Sequence, residues 1–162
     1  MEKRRLGRTD MEASVIGFGG IPIQGLSFEE AGRVLLHAFD SGIDFYDTAR
    51  GYTDSEEKIG KALSSKRDGI YIATKAMSRD AAGMQGELEA SLRNLRTGMI
   101  DLYQFHAVGS VEQLERITGP GGAYETLDRA RSEGKVRWIG ITGHSREILR
   151  KAAGMDLFDT LQ

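Results

Sequence analysis

Apolar, β-rich runs recur along this chain at 15–18, 43–46, 70–73, 100–105 and 136–141, and a further one starts at 160–161. The interval from run to run is roughly 27 to 36 residues, the size of a βαβ unit. Helical patterns fill the gaps. Ser27 stands three residues before Glu30 as a capping box, and Ala31, Val34, Leu35, Ala38 and Phe39 then follow at helical spacing. Further helices are expected over 56–63, 87–95, 124–131 and 145–153. Ahead of them, residues 1–14 read as a hairpin, two short runs around the turn Gly7-Arg8-Thr9-Asp10. Glycine is abundant, 21 of 162 residues, and prolines number only two, which suits tight turns between many short elements.

Strands alternating with helices predict a parallel sheet, and two architectures meet that description. A doubly wound sheet wants G-x-G-x-x-G at the first strand–helix turn. The turn here reads Gly17-Phe18-Gly19-Gly20-Ile21-Pro22 and lacks the third glycine. The other architecture is the (β/α)8 TIM-type barrel, whose functional residues gather at the C-terminal ends of successive strands. Asp47, Lys75 and His106 each follow one of three consecutive strand runs, so a parallel sheet collects them on one rim. The expectation is an α/β chain of barrel type, carrying the hairpin and about the first five βα units and ending in strand six. A complete barrel takes about 250 residues.

Composition narrows the function classes. With 22 basic and 24 acidic side chains the net charge is −2, which gives no electrostatic footprint for nucleic acid or an anionic membrane. There is no cysteine, so thiolate catalysis, disulfides and Cys-ligated clusters are excluded for these residues. The first fourteen residues are charged from Glu2 onward and show no apolar stretch, so no secretory signal and a cytoplasmic location are expected. No metal site is expected either, since His106 and His144 have no second histidine at ligand spacing.

The rim residues have complementary chemistry. Tyr52 lies in the loop five residues after Asp47, within reach of the same rim. A phenol is a poor acid at neutral pH, and a close ammonium such as that of Lys75 is expected to lower its pKa. Asp47 would hold that ammonium, and His106 would orient a carbonyl oxygen beside Tyr52, which protonates it as charge develops. Such a tetrad suits carbonyl reduction and requires a separate hydride donor. His37, on a helical face, reads as structural; His144 reads equally as a pocket or a loop residue.

These motifs resemble the aldo-keto reductase family. Asp44-Phe45-Tyr46-Asp47-Thr48-Ala49-Arg50-Gly51-Tyr52, followed by Ser55-Glu56 and Ile59-Gly60, is similar to the family's second-strand signature. Ile72-Ala73-Thr74-Lys75, Asp101-Leu102-Tyr103-Gln104-Phe105-His106 and Gly134-Lys135-Val136-Arg137-Trp138-Ile139-Gly140-Ile141 resemble its third-, fourth- and fifth-strand motifs. The resemblance, which also takes in the hairpin and a bacterial and archaeal subgroup, implies a (β/α)8 barrel. It further implies reduction of a small aldehyde or ketone with NADP(H), NAD(H) not being excluded, and Asp47, Tyr52, Lys75 and His106 as the catalytic set. It implies cofactor contacts from Gly20, Ile21, Asp47, Thr142, Gly143 and Gln162. Where many members carry a Ser-Asn pair this chain reads Thr142-Gly143, so no asparagine amide is available there. Members grip the dinucleotide's far end with loops after strands seven and eight, and those motifs are not in these 162 residues. Two other readings stay open: a Schiff-base lyase acting through Lys75, and a non-catalytic half-barrel assembly module. Open strand edges would favour self-association in any of the three.

Overall fold

A computed structural model describes residues 1–162. Six strands run parallel in one sheet: β3 (Phe18–Gly19), β4 (Phe45–Asp47), β5 (Tyr71–Ala76), β6 (Ile100–Phe105), β7 (Val136–Ile141) and β8 (Thr160–Leu161). Their spatial order is their chain order, β3-β4-β5-β6-β7-β8. A doubly wound sheet would reverse direction part-way; this one does not, which is the strand order of a barrel wall. The sheet is open, with β3 paired only to β4 and β8 only to β7.

The helices α1 (Phe28–Asp40), α2 (Ser55–Leu63), α3 (Ala81–Asn94), α4 (Val111–Thr118), α5 (Ala123–Ser132) and α6 (Arg146–Ala153) fill the crossovers. The expected capping box starts α1: Ser27 Oγ accepts from Glu30 N–H at 3.2 Å, and Glu30 Oε2 accepts from Ser27 N–H at 2.9 Å. Caps of this kind stabilise a helix by about 1 kcal/mol. Asp80, Ser110 and Ser145 cap α3, α4 and α6 in the same manner. Alternate residues of each strand point to opposite faces. On the convex face Tyr46, Ile72, Tyr103, Phe105, Ile139 and Ile141 bury themselves against Leu35, Leu63, Leu88, Leu114, Leu127 and Ile148 of the helices.

The concave face is filled from below by the hairpin, β1 (Lys3–Arg5) paired antiparallel with β2 (Glu12–Ser14). Met11 is fully buried there against Ala73 and Leu102, with Leu6, Phe45, Tyr71 and Trp138 around them. Polar ties fix the hairpin across the sheet's base. Lys3 pairs with Asp44 below β4 at 2.7 Å, and Asp10 holds Arg137 at 2.6 Å and the Trp138 indole N–H at 3.1 Å. Arg8 reaches the Phe158 carbonyl at 2.9 Å, just ahead of β8.

The structure departs from the sequence expectation at three elements. The first strand of the parallel sheet lies at Phe18–Gly19 rather than 15–18, and Val15 and Ile16 are exposed. A strand with one neighbour is set by the few bonds that neighbour offers, here Phe18 against Tyr46 and Gly19 against Asp47. Helix α3 begins at Ala81, six residues before the expected 87, because Asp80 accepts from Gly83 N–H and starts it there. Helix α4 was not expected; it is only eight residues long and buries just Leu114 and Ile117. No helix is long and apolar enough to cross a membrane.

Candidate active site

Parallel register brings the strand ends level. Asp47 terminates β4, Lys75 lies opposite Gln104 near the end of β5, and His106 follows β6 directly. All three stand on the rim opposite the hairpin. Lys75 is buried, 3% exposed, and its Nζ donates to Asp47 Oδ2 at 2.6 Å and to the Thr48 carbonyl at 2.9 Å. Tyr52 hangs over them from the loop after β4: Lys75 Nζ is 5.1 Å from its ring centroid. The His106 ring meets Tyr52 edge-on, with centroids 5.7 Å apart and planes at 85°. The structure thus brings together all four residues that the sequence singled out.

A buried carboxylate fastens the Tyr52 loop. Glu56, 1% exposed, pairs with Arg50 at 2.7 Å and accepts from the hydroxyls of Thr74 and Ser91, each at 2.7 Å. Asn94 adds a fourth contact at 3.2 Å. One acidic side chain therefore ties the loop to β5 and to α3. Its sequence signal was its place three residues before Ile59 and seven before Leu63, on the helix face that buries both.

The electrostatics correct one expectation. Burial pushes the Tyr52 phenol above its ordinary value, and the Asp47 charge pushes the same way. Lys75 does not lower it, because that ammonium is turned toward Asp47 and Thr48. Burial also raises the Asp47 carboxyl, opposed by Lys75 and by the nearby Gln162 amide. The His106 imidazole is held below its ordinary value, first by burial and then by the charges of Lys75, Arg79 and His144. Asp47 Oδ1 and His106 Nδ1 are both buried without a hydrogen-bond partner. A histidine in that setting stays neutral at pH 7.

The residues implied for a cofactor fall into two groups. Asp47 and Gln162 line a groove of about 530 Å³ that runs down the concave face past Gly19 and Gly17 to the hairpin. Ile21 is exposed beside the same rim. Gly20, Thr142 and Gly143 are instead built into the backbone. A Cβ on Gly20 would lie 2.5 Å from Ser55 Oγ, and one on Gly143 would lie 2.4 Å from the Val108 carbonyl oxygen. Thr142 Oγ1 accepts from Ala107 N–H at 3.0 Å, so its side chain holds the turn after His106. His144 is exposed.

The family model described as "Aldo/keto reductase family" matches residues 15–162. A protein described as "Uncharacterized oxidoreductase YqkF", from Bacillus subtilis, is 32% identical over 165 residues, covering 93% of this chain and 52% of that protein. The holo form of an aldo-keto reductase from Bacillus halodurans superposes with a TM-score of 0.86 at 29% identity, over 99% of this chain and 56% of the other. An aldo-keto reductase from Klebsiella pneumoniae in complex with NADPH gives a TM-score of 0.80 at 26% identity, over 99% and 57%. The chain spans about half the length of the curated relatives it matches.

Proposed function

Because the chain belongs to the aldo/keto reductase family, we propose that the whole protein reduces an aldehyde or ketone to an alcohol with NADPH. The single observation that carries this reading is the rim cluster itself: Lys75 bound to Asp47 at 2.6 Å, beneath a Tyr52 ring that His106 meets edge-on. NADPH fits the residues present at its nicotinamide end. Asp47 Oδ1 is a buried acceptor with no donor, at the head of a groove where Gly19 leaves open space. Asp47, Gln162 and Ile21 would hold the cofactor there, with Gly20, Thr142 and Gly143 shaping the wall. When bound, NADPH supplies hydride to the carbonyl carbon.

The side chains do the rest. Tyr52 keeps its proton at neutral pH, as its raised value requires, and gives it up only as negative charge builds on the substrate oxygen. The Lys75–Asp47 pair beneath the ring forms the floor of the site over which Tyr52 stands. Neutral His106 offers a hydrogen bond that fixes the carbonyl oxygen against Tyr52. Asp47 keeps Lys75 in place. This arrangement favours reduction over Schiff-base chemistry, because a lysine nucleophile needs a free amine and Lys75 Nζ is engaged by two oxygens.

The test is aldehyde- and ketone-dependent loss of NADPH absorbance on the full-length gene product. The wild type should turn over, and Tyr52→Phe should lose turnover by two orders of magnitude or more while still binding NADPH. Retained turnover in Tyr52→Phe would remove it as the proton donor.

A further inference from the structure

Arg79 is a cation near the rim that makes no ion pair with a carboxylate. The other arginine held at the rim, Arg50, pairs with Glu56 at 2.7 Å. Arg79 is half-buried and sits in the loop between β5 and α3. Its Nη2 donates to the carbonyl oxygens of His106 at 2.6 Å and of Ala107 at 3.3 Å. Its Nη1 is buried with no partner at all. Glu87, the acid nearest to it in effect, already accepts from the Ser78 N–H at 3.3 Å. Placing an uncompensated cation in such a setting is costly, so some other requirement keeps it there.

The carbonyls it holds belong to a turn that does not form readily by itself. Ala107 has φ of +53°, a left-handed conformation that costs an alanine about 1 kcal/mol. The turn is fixed from three directions. His106 N–H donates to Ala76 O at 2.9 Å, Ala107 N–H to Thr142 Oγ1 at 3.0 Å, and Val108 N–H to Thr142 O at 2.8 Å. Those bonds use the turn's donors, and Arg79 supplies its acceptors. A neutral amide would satisfy the same carbonyls, so the bonds alone do not account for the charge.

We propose that Arg79 is a positioning residue for His106: its guanidinium clamps the left-handed turn that aims the imidazole and sets an unpaired positive charge behind that ring. The groups facing His106 from the surrounding elements are Tyr52 after β4, Lys75 on β5, Arg79 after β5 and His144 after β7. Lys75 is neutralised by Asp47 at 2.6 Å, and His144 is exposed to solvent. Lys75 acts on the ring more strongly but is paired with Asp47, and Arg79 is the half-buried cation facing the ring that has no carboxylate partner. Its action agrees with the low-lying imidazole described above. The proposal rests on the reading of His106 as the group that meets the substrate oxygen, and it concerns the residue behind it.

The chain has three histidines, His37, His106 and His144, so an NMR pH titration of the ring protons resolves each one. In the wild type, His106 should titrate below the ordinary imidazole value. Arg79→Met should raise the His106 midpoint by about half a pH unit or more, and Arg79→Lys should keep it low. A midpoint unchanged in folded Arg79→Met overturns the proposal. Should that variant not fold, Arg79→Gln, which retains donors for both carbonyls without the charge, decides the matter on the same scale. A wild-type His106 midpoint at or above the ordinary imidazole value also overturns it. None of these readings needs turnover, so an inactive protein with the expected titrations would refute the reductase assignment alone.

Discussion

Replacing Lys75 by Met isolates what the rim pair costs the fold. Lys75 is 4% exposed in its side chain and Asp47 19%, with Nζ 2.6 Å from Oδ2. Asp47 Oδ1 has no partner, so without Lys75 neither carboxylate oxygen keeps a hydrogen bond within the protein. Removing one member of a buried pair costs about 3–5 kcal/mol. An upper limit applies, because Asp47 can take up a proton instead. Neutralising a carboxyl of ordinary value near 4 at pH 7 costs about 4 kcal/mol, at 1.36 kcal/mol per pH unit, and at pH 5 only about 1.4 kcal/mol. Lys75→Met should therefore lose about 3–4 kcal/mol at pH 7 and less than about 2 kcal/mol at pH 5. Adding Asp47→Asn removes the stranded charge and should restore all but about 1 kcal/mol, a coupling of about 2 kcal/mol or more. Urea unfolding followed by circular dichroism at both pH values measures all of these. Additive single variants, or a Lys75→Met penalty equal at pH 7 and pH 5, would refute the reasoning.

Met11→Ala empties the base of the concave face, and with Met11 fully buried it should cost about 2–5 kcal/mol in the same urea assay. His106 has a lowered folded value, so between that value and its ordinary 6.5 the unfolded chain binds more protons and stability falls as pH drops. His106→Gln should flatten the stability profile through that window and leave it unchanged above it. Gly143→Ala drives a Cβ to within 2.4 Å of the Val108 oxygen and should cost about 1–3 kcal/mol, read as a fall in thermal midpoint.

Much of this was legible in the residues, and the reasons differ by element. Strands β6 and β7 lie where the apolar runs at 100–105 and 136–141 place them, β6 because it is buried along its whole length and β7 because all but two of its residues are buried. Strand β3 was misplaced because an edge strand is bounded by its partner and not by its own composition. Helix α4 was hidden by its length: Val111, Leu114 and Ile117 give too few turns to register as a period, although Ser110 ahead of them was a capping signal. The rim set could be named because three ionisable residues followed three strand runs. The direction of the Tyr52 shift could not, since it depends on which way the Lys75 ammonium turns. Arg79 carried no local signal; what distinguishes it is the missing partner, which exists only in three dimensions.

The hairpin at the base has a consequence for the order of assembly. Arg8 and Asp156 are hydrogen-bonded across 148 positions of chain, Arg8 and Phe158 across 150, and Asp10 and Arg137 across 127. On a ribosome the hairpin emerges before its anchors below β7 and β8, which lie more than a hundred residues downstream. Contacts of such long sequence separation form late and slow the reaction. Until they form, Met11 cannot fill the sheet's interior, and the concave face stays open to water and to other chains. Closing the base is thus expected to follow the formation of β7 and β8, with the hairpin docking only after the strands it covers have been built.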